Sequence, residues 1–212
     1  MTGCCQGIED QFNRRVAAEE LERYRRSGPR KTTRLLLDAL RDCGIGGMTL
    51  LDIGGGVGAI QHELLSAGVS RAESVEASAA YLAAAREETA RRGHTDRLKA
   101  HHGDFVALAP EIPPADIVTL DRVICCYRDM PALVAQSAAR ARKLYGVVYP
   151  RDIWWVRAGI AAENLFYQAR RRPFRVFVHT AAAIEEIVRA HGFERRAARQ
   201  TRSWQVVVYA RA

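Results

Sequence analysis

Short apolar runs alternate along the chain with longer stretches whose apolar residues recur every three to four positions. The first pattern marks buried strands, the second amphipathic helices. Ile8–Arg26 reads as one charged amphipathic helix, with Phe12, Val16, Leu21 and Tyr24 on its apolar side. Gly28-Pro29 ends it, since proline cannot continue a helix and disfavours helical backbone just before it. Lys31–Cys43 is a second helix that gathers Leu35, Leu36, Leu37 and Leu40 for burial, closed by Gly44, Gly46 and Gly47. Strands and helices then take turns. Strand Thr49–Ile53 precedes helix Ala59–Ala67, and strand Ser74–Glu76 precedes helix Ala79–Arg92. Strand Leu98–His102 follows, then strand Ile117–Leu120, helix Met130–Ala141 and strand Leu144–Tyr149. Such alternation predicts a parallel sheet with helices on both faces. The end differs: helix Ala181–His191 leads into strands Phe193–Arg199 and Trp204–Ala210, close enough in sequence to pair antiparallel.

The chain has 212 residues, 48% hydrophobic and 26% charged, which suits a single domain with its own core. No apolar run approaches the ~20 residues that span a bilayer. The N-terminus lacks a signal-peptide core, so the expected location is the cytoplasm. Cys4, Cys5, Cys43, Cys125 and Cys126 match no metal-ligand spacing, and reduced thiols with no bound metal are the simplest reading. Net charge is +8, with basic runs at Arg14-Arg15, Arg23–Arg30, Arg170–Arg175 and Arg195–Arg202. Solvated helix faces account for most of these. No zinc-finger, RRM or KH signature accompanies them, so nucleic acid is not the expected partner.

The most informative stretch is Leu50–Ile60, Leu-Leu-Asp-Ile-Gly-Gly-Gly-Val-Gly-Ala-Ile. A strand breaks into Gly54, Gly55, Gly56 and Gly58, and a helix begins. Backbone without Cβ atoms turns sharply and lets a ligand come close, and the amides at the helix start favour a polar or anionic group. Two nucleotide readings compete. One is the dinucleotide fingerprint Gly-x-Gly-x-x-Gly, with Gly54, Gly56 and Ala59 in its positions. The other gives a role to Asp52: Asp52-Ile53-Gly54-Gly55-Gly56-Val57-Gly58 resembles the first motif, Asp-x-Gly-x-Gly-x-Gly, of class I S-adenosylmethionine (SAM) methyltransferases.

Ligands of open α/β sheets bind beyond the carboxyl ends of the strands. Glu76 ends the second strand, 18 residues past Gly58, where a carboxylate can accept both ribose hydroxyls. Ala77, Ser78 and Tyr81 line the ribose and adenine side. Gly103-Asp104-Phe105 resembles the same family's third motif, which implies that Asp104 accepts the adenine amino group and Phe105 packs on the ring. A turn in which Asp104 caps a backbone amide is the alternative. Asp121, ending the fourth strand, partners Arg122 or the SAM amino group, and Cys126 and Tyr127 face the substrate. The resemblance implies a Rossmann-like α/β fold with one seven-stranded sheet, an antiparallel C-terminal hairpin and helices on both faces. It also implies an N-terminal helical lid over residues 1–44 on a SAM-binding domain over 45–212.

Methyl transfer from a sulfonium is a direct displacement, so alignment matters most. A phenol or alcohol acceptor needs a base, whereas a carboxylate does not. His179 is the best base candidate among six histidines, and Tyr127 the second catalytic candidate. Residues 152–178 form an insert rich in aromatics and arginines that caps the substrate or, on a further reading, touches a membrane surface. Here the chain resembles the magnesium-protoporphyrin O-methyltransferases. The resemblance rests on Gln11-Phe12-Asn13, Ser27-Gly28, the segment from Asp121 to Tyr127 and the insert. It departs at Gln11 and Cys126, where that subfamily tends to carry Tyr and His. The expected activity is methylation of a small-molecule oxygen by a monomer or homodimer. RNA methylation on the arginine faces and a non-catalytic partner subunit are the alternatives.

Overall fold

The strands are β1 (Thr49–Ile53), β2 (Arg71–Glu76), β3 (Leu98–His102), β4 (Ala115–Asp121), β5 (Ala141–Pro150), β6 (Phe193–Gln200) and β7 (Trp204–Arg211). In the computed structural model, which describes residues 7–212, they form one sheet in the order β3-β2-β1-β4-β5-β7-β6. Strands β1 to β5 pair in parallel, while β7 runs antiparallel to both β5 and β6. This is the expected seven-stranded arrangement. Strand order reverses at β1, whose neighbours are β2 and β4, so a crevice opens at their carboxyl ends. Cys4 and Cys5 lie outside the described residues.

Alternate residues of the central strands feed two cores, because successive strand side chains point to opposite faces. Leu51, Ile53, Val118, Leu120, Tyr145 and Val147 join one cluster. Leu50, Ile117, Leu144 and Val148 join the other. Helices α7 (Met130–Arg140) and α9 (Ala181–Ala190) cover the first face through Leu133, Val134, Ile184 and Val188. Helices α3 (Lys31–Arg41) and α4 (Ala59–Ser66) cover the second through Leu36, Leu37, Leu40 and Leu64. Thus α3 belongs to the core, and the lid expected over residues 1–44 does not extend to it. Leu36, Leu37 and Leu40 share one helical face and are buried, while Arg34, Asp38 and Arg41 face water.

Two other expectations need correction. Ile8–Arg26 is two helices, α1 (Ile8–Gln11) and α2 (Arg14–Ser27). Asn13 divides them: its side chain accepts from the amides of Arg15 and Val16, capping α2 in place of a continuous helix. Strands β2 and β5 also run longer than their apolar patterns, because the residues at their starts find ladder partners, Arg71 opposite Thr49 and Ala141 opposite Ala115. The remaining helices are α5 (Ala79–Arg91), α6 (Phe105–Leu108) and α8 (Trp154–Ala169). Many arginines of the basic runs are spent on ion pairs. Arg25, Arg91 and Arg92 all meet the buried Glu88, and Arg195 meets Glu185. Among the described residues, no helix is long and apolar enough to cross a membrane.

Candidate active site

A cleft of roughly 1170 Å3, counted out to its open mouth, lies at the strand-order reversal. Its wall comes from strand ends: Gly54–Gly56 after β1, Glu76 and Ala77 at β2, Gly103–Phe105 after β3, and Asp121–Val123 at β4. Every one of the predicted cofactor residues except Gly58 lines it. Gly58 stands behind the cleft as the left-handed N-cap of α4.

The loop needs its glycines for steric reasons. Gly54 has φ +65°, and a Cβ there would collide with the Val123 side chain. At Gly55 a Cβ would lie 2.7 Å from the Ser74 hydroxyl and press into the Gln61 amide. Beneath the loop is a buried polar network centred on Asp52, which is 1% exposed. Thr119 Oγ1 donates to its Oδ1 at 2.7 Å, and Gln61 Nε2 donates to its Oδ2 at 3.1 Å and to Ser74 Oγ at 2.9 Å. Burial, opposed by these hydrogen bonds and aided by the charges of Asp121 and Glu76, pushes the Asp52 carboxyl up to about 7.

Glu76 receives the Gly56 amide at 2.9 Å on Oε2 and the Ser78 amide at 2.8 Å on Oε1. The acid thereby clamps the glycine loop to the start of α5. Burial raises its pKa, and these backbone donors work against the rise. Asp104 accepts the Val106 amide at 3.1 Å, so the capping turn weighed in the sequence is present. The same carboxylate also takes the Tyr127 hydroxyl at 2.9 and 3.0 Å, and Phe105 is buried beside it. Asp121 accepts from Thr33 Oγ1 at 2.5 Å and from Arg122 Nε at 3.3 Å.

A charged rim crosses the mouth. Arg23, Arg30 and Arg122 gather around Glu20, which also accepts the Tyr81 hydroxyl. Burial raises the Glu20 pKa, but the hydrogen bond and charge of Arg30, with Arg122 and Tyr81, outweigh it and hold the carboxyl below its usual range. Arg122 has φ +62°, an uncommon backbone for a residue with a side chain. Over the cleft, Phe12 packs edge-to-face on Tyr81 and on Phe174, joining the N-terminal segment, α5 and the insert at one aromatic joint.

The two catalytic candidates part company. Tyr127 lines the cleft. His179 does not: its Nε2 lies 3.1 Å from the Tyr127 carbonyl oxygen and its ring stacks on Phe177. Burial lowers its pKa. Of the other histidines, His62 and His94 pair with each other and His191 caps α9.

A sequence profile of the O-methyltransferase domain matches residues 7–141. The chain belongs to this family. The enzyme is a methyltransferase whose methyl donor is S-adenosylmethionine. Its fold resembles magnesium protoporphyrin IX methyltransferase from Synechocystis PCC 6803, solved with bound S-adenosylhomocysteine, at TM-score 0.71 and 18% identity over 97% of this chain and 98% of that one. An O-methyltransferase family protein from Burkholderia thailandensis superposes at TM-score 0.72 and 16% identity, covering 96% of this chain and 62% of the other. A chain from the Haloferax volcanii complex of the Trm112 methyltransferase activator with a methyltransferase matches at TM-score 0.68 and 16% identity, covering 96% of each. Identities this low speak for the fold. A sequence search among curated proteins finds no match.

In this methyltransferase the sequence reading missed the polar layer under the loop and the rim above it. Gln61, Ser74 and Thr119 look unremarkable in sequence. A polar residue facing inward from each of two buried strands was the available signal, since buried polar groups need partners. Arg23 and Arg30 stand in a basic run of the kind that reads as a solvated helix face, and Glu20 carries no signal of its own. Nothing in the local pattern separates a rim arginine from a surface one.

Proposed function

We propose that this methyltransferase moves the methyl group of SAM to an oxygen of a small molecule, and that both bind in the cleft at the strand-order reversal. The observation that carries this reading is Glu76, a buried carboxylate at the tip of β2 fixed by two backbone amides at the cleft wall. The residues present fit the cofactor. Gly54 and Gly56 line the cleft without side chains. Glu76 and Ala77 serve the ribose, Asp104 and Phe105 the adenine, and Asp121 the amino group. Gly58 and Asp52 act indirectly, one by starting α4 and the other by holding the loop from below. The rim of three arginines against Glu20 and Asp121 leaves one positive charge in surplus for the carboxylate of the amino-acid end.

When bound, SAM supplies an electrophilic methyl on a sulfonium that is already a leaving group. The protein's task is to orient and to exclude water. Helices α1 and α2 with the 152–178 insert form the roof, joined through Phe12, Tyr81 and Phe174. The cleft lining holds neither histidine nor lysine among the described residues, and its bases are carboxylates. That favours an acceptor oxygen acidic by itself, a carboxylate or an acidic phenol, over a simple alcohol.

Isothermal titration with SAM and S-adenosylhomocysteine tests the site. The Glu76→Ala variant is expected to bind about fivefold to a hundredfold more weakly, the roughly 1–3 kcal/mol of a buried hydrogen-bonding group left without its partner. Unchanged affinity would reject the Glu76 assignment, and no binding by the wild type at high micromolar ligand would reject the site. An acceptor screen with tritiated SAM, followed by alkaline hydrolysis of the product, separates methyl esters from ethers.

A further inference from the structure

Helix α8 is turned outward. Its inner face is held by Val156 and Tyr167, both buried, and by Asn164, whose side chain donates to the Val176 carbonyl at 2.7 Å and accepts the Val176 amide at 2.9 Å. The opposite face is apolar along its full length. Trp154, Ala158, Ala161, Ala162, Leu165 and Ala169 fall within one stripe at helical spacing, all exposed, with Phe166 at its edge. Trp154 is 80% exposed, Leu165 67% and Phe166 50%, and these are the exposed large hydrophobic side chains among the described residues. A contiguous apolar stripe on the outside of a water-facing helix marks a contact surface.

The charges around the stripe say what it contacts. Residues 151–175 carry six arginines against two acids. Asp152 is paired with Arg157, and Glu163 accepts the Tyr167 hydroxyl. Basic groups stand at both ends of the helix. Arg151 and Arg202 lie at its start, the latter with its guanidinium 5.5 Å from the centre of the Trp155 ring. Arg170, Arg171 and Arg172 follow its last turn, with Arg170 over the Phe166 ring. A second copy of α8 laid on the stripe would therefore set arginines against arginines in either direction. A flat anionic surface complements both ends at once.

We infer that the outer face of α8 docks on an anionic lipid bilayer, the helix lying in the plane of the headgroups with Trp154, Leu165 and Phe166 inserted and the terminal arginines on lipid phosphates. A 16-residue helix gives a footprint about 24 Å long. Apolar insertion and arginine–lipid attraction together give reversible binding of this kind. The inner side of the same helix reaches the cleft roof, because the Gln11 amide donates to the Tyr167 hydroxyl. The inference is independent of which residues bind SAM.

Liposome flotation of the full chain is the test. Vesicles of phosphatidylcholine with phosphatidylglycerol are compared with phosphatidylcholine alone, at low and high salt. The wild type is expected to float with the anionic vesicles at low salt and to be released by high salt. Trp154→Glu with Leu165→Glu should cut partitioning by roughly tenfold or more, and so should Arg171→Gln with Arg172→Gln. Both pairs are exposed, so thermal melting should match the wild type. Failure to float with anionic vesicles at low salt overturns the inference, as does equal flotation with phosphatidylcholine alone or flotation unaltered in both variants. A dimer by sedimentation velocity that is lost in the Trp154→Glu variant, without flotation, overturns it in favour of self-association.

Discussion

Asp52 shows how one residue serves a loop it does not belong to. Its carboxyl lies below the glycines, receives Thr119 and Gln61, and is pushed up to about 7 by burial. The unfolded chain holds an aspartate near its ordinary value of about 3.9. A carboxyl whose pKa is higher folded than unfolded contributes fully below the unfolded value and loses that contribution as pH rises through the folded one. Asp52 therefore weakens the fold progressively from about pH 4 to about pH 7, by on the order of a few kcal/mol. Asp52→Asn removes this dependence. Urea denaturation at pH 5 and at pH 8 should show the variant gaining on the wild type at the higher pH. A constant difference between the two proteins would show that Asp52 is not protonated in the fold. Sequence placed Asp52 before the first glycine but was silent on its depth, which depends on Thr119 and Ser74 arriving from two other strands.

At the scale of elements, α3 and the start of the chain are the instructive pair. Both read as amphipathic helices, and a lid was expected across them. The leucine-rich face of α3 instead seats against β5 and β7, with Leu36 against the bare backbone of Gly146 and 0% exposed. Leu36→Ala should cost about 2–5 kcal/mol, read as a lowered midpoint in thermal or urea unfolding. A cost below about 1 kcal/mol would mean that α3 is not part of the core. Helix α2 has a sparser apolar side, Ala17, Leu21 and Tyr24, which packs on α5 through Tyr81 and Ala84 rather than on the sheet. Hydrophobic spacing identified both helices. The number of large apolar residues on each face separated core from roof, and that distinction was available in the leucine cluster. The break at Asn13 was not, because an asparagine signals a cap only once the preceding turn is known to end.

For the whole molecule, ligand linkage gives a simple expectation. If the cleft takes SAM and the unfolded chain does not, SAM at about 100 times its dissociation constant stabilises the protein by about 2.7 kcal/mol. A thermal shift that rises with SAM concentration, and equally with S-adenosylhomocysteine, checks it; no shift at saturating ligand contradicts binding to the native state. The alternation of strand and helix patterns, the glycine break after β1 and the short gap before β7 were local features, and they carried the sheet and the methyl donor. These are properties of backbone conformation and period, which neighbouring residues dictate. The depth of Asp52, the clamp that Glu76 makes between Gly56 and Ser78, the arginine rim around Glu20 and the withdrawal of His179 from the cleft are not local. Each depends on residues far apart in sequence meeting at a strand end, so only the packed sheet decided them. The outward stripe on α8 belongs with them: its apolar residues are plain in the sequence, but a helix shows which face is left uncovered only once the other has found its core.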